Sequence, residues 1–168
     1  GDLDGFLASL AMTMTVGAFE DADLPRVVQL ANKTNQFNLT TRRITEAAAR
    51  ALRDAPANVC LHLRLADAFG DNGIIAVVIA KPSADDPAAY AIDTWLMSCR
   101  VLGREVEPTT LNLVADAAKR LGARRLVGEY LPTKKNGMVR DHYPKLGFTI
   151  AEAHPDGSSR SVLELSTF

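Results

Sequence analysis

What the chain lacks narrows it first. Its 168 residues include only two cysteines, Cys60 and Cys99, and their spacing is not that of a metal site. No disulfide framework is expected, and reduced thiols in a cytoplasm are the simplest reading. A dominant charge is missing too, since 19 Lys and Arg against 20 Asp and Glu leave a net charge of -1. A surface that tracks phosphates usually needs a basic excess, so no nucleic-acid partner is expected. The pairs Arg42-Arg43, Arg124-Arg125 and Lys134-Lys135 are short enough to read as solvated faces. No apolar run is long enough to span a bilayer, and the opening GDLDGFLASLAM carries Asp2 and Asp4 where a secretory leader would be basic. No membrane partner is expected, and the expected location is the cytoplasm. Neither an internal repeat nor a linker interrupts the chain.

What remains is ordinary globular material, 47% hydrophobic and 23% charged. That length buries a core of useful size in one domain. The abrupt start makes residues 1–11 the expected tail of an absent upstream domain or a linker, with the domain over 12–168.

Along the chain, MTMTVGA (12–18) alternates weakly and predicts a strand. Asp21 or Asp23 can cap a helix that holds Pro25 in its first turn and Leu24, Val27, Val28 and Ala31 on one face. NKTNQFNLTTRR (32–43) is crowded with amides and hydroxyls that compete for backbone hydrogen bonds, and predicts a loop. Thr45 caps a short helix through Arg53. In VCLHLRLA (59–66), Val59, Leu61, Leu63 and Leu65 point one way and Cys60, His62 and Arg64 the other. GDNG (70–73) reads as the turn before a buried strand IIAVVIA (74–80). AYAIDTWLM (89–97) is the next strand, with Asp93 alternating with Ala91 and Trp95.

From Val106 the period becomes helical, with Leu111, Val114, Ala118 and Leu121 on one face and Gly122 as the C-terminal cap. RRLVGEYL (124–131) is a strand. NGMVRDHYPKLG (136–147) carries Val139, Tyr143 and Leu146 at helical spacing, bent at Pro144. FTIAEA (148–153) and SVLELST (161–167) flank the turn PDGS. The order is β-α-α-β-β-β-α-β-α-β-β.

Two segments in that order resemble the GNAT acyltransferases. LMSCRVLGREVEPTTL (96–111) runs from a strand through a turn into a helix N-terminus, where unpaired N–H groups and the helix dipole favour an anion. In the GNAT pattern Arg/Gln-x-x-Gly-x-Gly/Ala this turn cradles the diphosphate of acyl-CoA. Arg100 and Gly103 fit its first two positions, but Glu105, or Glu107 in a shifted register, stands at the last. A carboxylate there repels a phosphate, or simply caps the helix. KKNGMVRDHYPKLGF (134–148) resembles the closing GNAT segment through Asn136, Tyr143, Leu146, Gly147 and Phe148. The resemblance implies an α/β (α+β) domain with a mixed central sheet and helices on both faces. It also implies acetyl-CoA or another pantetheine thioester beside Leu96, Met97, Ser98, Arg100, Val101, Leu102, Gly103, Arg104 and Asn136.

NKTNQFNLTTRR, FGDNGI (69–74), IDTWLMSCRVLGREVE (92–107) and PTKKN (132–136) together resemble the C-terminal region of FkbH-like proteins of polyketide biosynthesis. That resemblance covers nearly the whole chain. It implies an upstream HAD-type phosphatase-like domain, which takes glyceryl from 1,3-bisphosphoglycerate and loads it onto an acyl carrier protein. The carrier and the upstream domain are the implied partners.

Several residues are candidates for chemistry. Tyr143 is the implied acid that protonates a departing CoA thiolate, or a ring packed on the sheet. Asp93 is a candidate base if burial raises its pKa, or a structural partner for an arginine. His62, expected on the polar side of its strand, is likewise a candidate base. Cys99 sits where a helix N-terminus and Arg100 would lower its pKa for transient acylation, or it is a small buried hydrophobe. Asn35, Asn38, Thr40 and Arg42 offer donors and acceptors for an acceptor substrate, or build the loop's own turns. No metal is expected at His142 or His154. The chain is thus read as an acyltransferase, a carrier-docking module without turnover, or a scaffold for the upstream domain.

Overall fold

The computed structural model describes residues 13–68, 70–98 and 106–168. The elements in order are β1 Thr13–Ala18, α1 Leu24–Lys33, α2 Glu46–Asp54, β2 Val59–Asp67, β3 Gly70–Pro82, β4 Ala89–Met97, α3 Val106–Arg120, β5 Arg125–Tyr130, α4 His142–Lys145, β6 Thr149–Ala153 and β7 Ser159–Glu164. The seven strands form one mixed sheet in the order β1-β2-β3-β4-β5-β7-β6, antiparallel except where β4 meets β5. Helices cover both faces. Leu24, Val27, Leu30 and Ala31 of α1 pack with Cys60, Val77, Ile79 and Leu96. On the other face Leu111, Val114 and Ala118 of α3 pack with Leu63, Ile92, Trp95 and Tyr143. No helix among the described residues is long and apolar enough to cross a membrane.

Local chemistry explains most boundaries. Thr45 caps α2 by accepting the Ala48 N–H at 3.1 Å. Gly122 ends α3 at φ 93°, a left-handed position that suits glycine. Ahead of α1, Asp23 reaches back instead of forward. Its Oδ2 accepts the Glu20 N–H at 2.9 Å in a reciprocal capping arrangement with the Glu20 side chain.

The structure departs from the expected pattern in five places. GDNG is not the hairpin turn, because Asp71 pairs with Ala66 and Gly70 with Asp67, which puts the reversal between Asp67 and Gly70. Gly73, at φ 69°, sits instead where the β2–β3 register slips. His62 does not face a polar side. It is 6% exposed, since α1 and the turn before it cover that face as well. Leu121 lies past the end of α3 and is 45% exposed, outside the buried stripe. Residues 136–147 are not one helix but a 3-10 turn at Gly137–Val139 and the single turn of α4. Gly137 contributes little to a helix, and Pro144 supplies no N–H. The last change is at Asp93. Thr94 pairs with Ile79 and Ile92 with Ala80, so Asp93 is an extra residue, a bulge in β4. Alternation restarts there, and Trp95 joins the α3 face with Ile92 rather than sharing a side with Asp93.

Candidate functional site

The Asp93 bulge fixes the geometry of the site. The parallel β4–β5 ladder runs from the Ala89–Arg125 pair to the Ile92–Gly128 pair and stops there. A bulge adds twist and ends pairing, so beyond Asp93 the two strands part. The gap is filled by the chain itself. Leu39 donates its N–H to the Trp95 carbonyl at 3.0 Å, Met97 donates to the Phe37 carbonyl at 3.0 Å, and Leu131 donates to the Leu39 carbonyl at 2.9 Å. The α1–α2 loop thus adds a short strand-like piece between β4 and the end of β5, seen also as an antiparallel bridge between Asn38 and Leu96.

Asn136 locks this piece in place. Its Nδ2 donates to the Asn38 carbonyl at 3.0 Å and the Leu131 carbonyl at 2.9 Å, and its Oδ1 accepts the Thr133 N–H at 2.8 Å. It is wholly buried. Asn38 is equally committed, donating to the Thr34 carbonyl and accepting from the Thr41 N–H. Thr41 takes φ 54°, and its buried hydroxyl has no partner. A β-branched residue in the left-handed region costs about 1–2 kcal/mol, so the loop is held under strain by these bonds.

Just past the strained residue, Arg42 spans the gap on the α1–α2 face. Its Nη1 donates to the Asp93 carbonyl at 2.8 Å and Asp93 Oδ1 at 3.1 Å, and its Nη2 donates to Glu129 Oε1 at 2.7 Å. Thr40 donates its hydroxyl to the Asp93 carbonyl at 2.9 Å, and Lys81 lies 3.4 Å from Asp93 Oδ1. Thr40, Arg42 and Asp93, with the expected arginine-carboxylate link, therefore meet at one point. Glu129 belongs to the same cluster and was missed by sequence reasoning. Within RRLVGEYL it alternates as an outward residue, and nothing local marks the arginine that crosses to it. Asp93, Arg42 and Lys81 border a cleft of about 320 Å³ floored by Val77 and Ile79.

On the opposite face the gap is backed by aromatic rings. The Trp95 ring meets His142 edge-on at 4.3 Å, and Tyr143 lies 5.1 Å from His142 and 4.9 Å from Phe148. Tyr143 is 2% exposed, and its hydroxyl is buried without a partner. Its ring lies so close over Gly128 that a Cβ there would sit 2.5 Å from it. Burial, then the Glu129 carboxylate, push the phenol well above its usual value, while Arg42 pulls the other way. The phenol therefore stays protonated. Burial, with Lys145 adding to it, pushes His142 down to about 3, so its imidazole is neutral. A second cleft, of about 380 Å³, opens between the first turn of α3 and α4, walled by Phe37, Glu107, Pro108, Val139, His142 and Leu146.

Other expected residues lie elsewhere. His62 contacts Asp23 Oδ2 at 3.1 Å and stacks on Phe19, on β2 rather than beside Asp93. The Leu96 and Met97 side chains are core, one on each face, leaving only their main chain toward the gap. Ser98 donates its N–H to the Ile75 carbonyl at 2.7 Å and borders a third cleft with Asn35 and Phe37. Asn35 accepts from Arg43, a loop contact. Cys99, Arg100, Val101, Leu102, Gly103, Arg104 and Glu105 lie outside the described residues.

Comparison with solved structures identifies the architecture. The GNAT domain of S. lividans PAT superposes with a TM-score of 0.68 at 19% sequence identity, covering 89% of this chain and 89% of its own. An acetyltransferase from Thermus thermophilus gives 0.67 at 15% identity, covering 90% of this chain and 97% of its own. YncA from Salmonella typhimurium, a putative acetyltransferase solved with its cofactor acetyl-CoA, gives 0.63 at 15% identity, covering 91% and 94%. No protein-family model and no curated protein matches the chain in sequence. The chain has the GNAT acetyltransferase fold.

Proposed function

We propose that this domain handles a pantetheine thioester, carried by coenzyme A or by an acyl carrier protein, and moves its acyl group to an acceptor. One observation carries the reading. The strands part at Asp93 with the neutral Tyr143 phenol behind the gap and the 380 Å³ cleft beside it. An amine, hydroxyl or thiol attacking a thioester gives a tetrahedral oxyanion, and its collapse expels a thiolate that needs a proton. Tyr143 is the donor in this reading: the departing thiolate takes the phenol proton as the C–S bond breaks, and the phenolate regains a proton from the attacking group, which loses one on acylation. Asp93, bound by Arg42 and Lys81, anchors the acceptor side. Resemblance to FkbH-like proteins makes an acyl carrier protein the partner and an HAD-type domain the upstream neighbour, within glyceryl loading for polyketide biosynthesis.

The test is thiol release from acetyl-CoA and from an acylated phosphopantetheinyl carrier by wild type and Tyr143→Phe. Since the Tyr143 hydroxyl bonds to nothing, the variant keeps its fold. Release is expected to fall on the order of 100-fold. Equal release from both proteins would remove Tyr143 from the mechanism.

A second reading, a carrier-docking module without turnover, draws on the loop paired to the β4 edge. An extended tail would look for hydrogen bonds at the Trp95 carbonyl and the Met97 N–H, which Leu39 and Phe37 already hold. Calorimetric binding of the phosphopantetheinylated carrier with no thiol released from any substrate would favour this reading over catalysis.

A further inference from the structure

The occupied strand edge raises the question of what would read the amides of a pantetheine arm. Such an arm is a thin chain with two amide groups, and amides buried without hydrogen bonds cost roughly 1–3 kcal/mol each. With the Trp95 carbonyl and the Met97 N–H already paired, the main chain of β4 does not serve them there. Among the buried polar side chains near the gap, Asn136 and Asn38 are committed to the loop and to each other. His142 differs. It is 7% exposed, its ring forms part of the wall of the 380 Å³ cleft, and its Nε2 is buried with no hydrogen-bond partner.

We propose that His142 is the amide-reading residue of the cleft between the first turn of α3 and α4, where a pantetheine arm that parts the cleft wall reaches the buried Nε2 and hydrogen-bonds it through one amide. The inference rests on the pantetheine reading above and deepens it. Three features fit this role. Trp95 and Phe37 meet the His142 ring edge-on, at 4.3 and 5.2 Å, and fix its plane. Burial keeps the ring neutral, so binding a neutral amide requires no loss of a charge. The wall is otherwise largely apolar, with Phe37, Pro108, Val139 and Leu146, which suits the methylene stretches on either side of an amide. Glu107 and Lys145 on the same wall carry opposite charges, so the cleft has no net charge to draw in a phosphate. His142 is a positioning residue here, since it orients the arm and leaves proton transfer to Tyr143.

The experiment is isothermal titration of wild type, His142→Phe and His142→Gln with pantetheine itself, a probe that lacks phosphate and nucleotide. His142→Phe should weaken binding about tenfold, and His142→Gln, which keeps a hydrogen-bonding group, should recover most of it. In parallel, the Nε2 ¹⁵N resonance of His142 in the wild type should shift when pantetheine is added. This readout holds even if a variant fails to fold. Wild-type binding with an unmoved Nε2 resonance would overturn the role of His142 and leave the pantetheine reading standing. No wild-type binding of pantetheine or acetyl-CoA would overturn both.

Discussion

The two faces of the sheet are built from different materials where β4 leaves β5. Toward α1 and α2, charge does the joining, with Arg42 bridging Asp93 and Glu129, and Arg64 and His62 both meeting Asp23. Toward α3 and α4, Trp95, His142, Tyr143 and Phe148 stack at ring distances, and three polar atoms, Trp95 Nε1, His142 Nε2 and Tyr143 OH, have no partner. The first face spends most of its polar groups on internal links, though His62 Nδ1 is buried there without a partner. The half-exposed Arg42, Arg64 and Lys81 keep it partly wet. The second is dry and keeps polar atoms in reserve. Free polar atoms in a dry wall are where a ligand gains most from one hydrogen bond, because the competing water is gone. The contrast assigns stability mainly to the aromatic face and electrostatic tuning to the ionic one.

The sharpest way to break that contrast is Trp95→Ala. Trp95 is fully buried, and its removal should cost about 4 kcal/mol in urea unfolding. Trp95→Phe should cost far less, since the indole N–H makes no bond to lose. Next comes Gly128→Ala, which drives a methyl into the Tyr143 ring and should cost about 2 kcal/mol. Adding Tyr143→Leu should return part of that loss, a coupling that a double-mutant cycle reads directly. Additive effects instead would place the clash elsewhere.

On the ionic face the effects should be smaller and should depend on pH. Burial alone would raise the Asp23 carboxyl, but the Glu20 N–H, His62 and Arg64 outweigh it and hold it below the usual carboxylate value. The native state then binds fewer protons than the unfolded chain. Its stabilisation is complete above about pH 4 and is lost as pH falls through the lower native value. Asp23→Asn should therefore cost about 1 kcal/mol at neutral pH, discounted for the exposed side of Arg64, with the gap closing in acid. A gap that persists at low pH would contradict the charge account. The smallest effect is Arg42→Met, at roughly 0.5 kcal/mol, because the arginine is 38% exposed and its pairs are screened. A loss exceeding that of Trp95→Ala would reverse the comparison between the faces.

How far the sequence carried depended on the range of each interaction. Thr45, Gly122 and the PDGS turn announce themselves because their bonds close within a few residues. The element order and the mixed sheet with helices on both faces followed from such signals, from periodicity and from the resemblance to GNAT proteins. The Asp93 bulge did not, because one extra residue in a strand changes the pairing without changing composition, and it moved Trp95 to the other face. GDNG misled for a related reason. Turn-forming residues also build an irregular stretch of paired strand. The loop of 32–43 was legible as polar and dense, yet its main task runs through the main chain of Phe37 and Leu39, which any side-chain identity could supply. His142 stood out in no pattern, and only its lack of a partner in three dimensions marks it.

Among the described residues, the four paired positions between β4 and β5 are the only ladder joining the β1–β4 half of the sheet to the β5, β7 and β6 half. Past that seam the halves are sutured by Phe37–Leu39, with Asn136 tied to it across 98 positions of sequence. A closure of that span forms late, after both flanking strands are in place, because chain entropy opposes it until then. Amide exchange should accordingly find the Leu39 and Leu131 N–H groups the first to open, while the meander of β2, β3 and β4 stays shut.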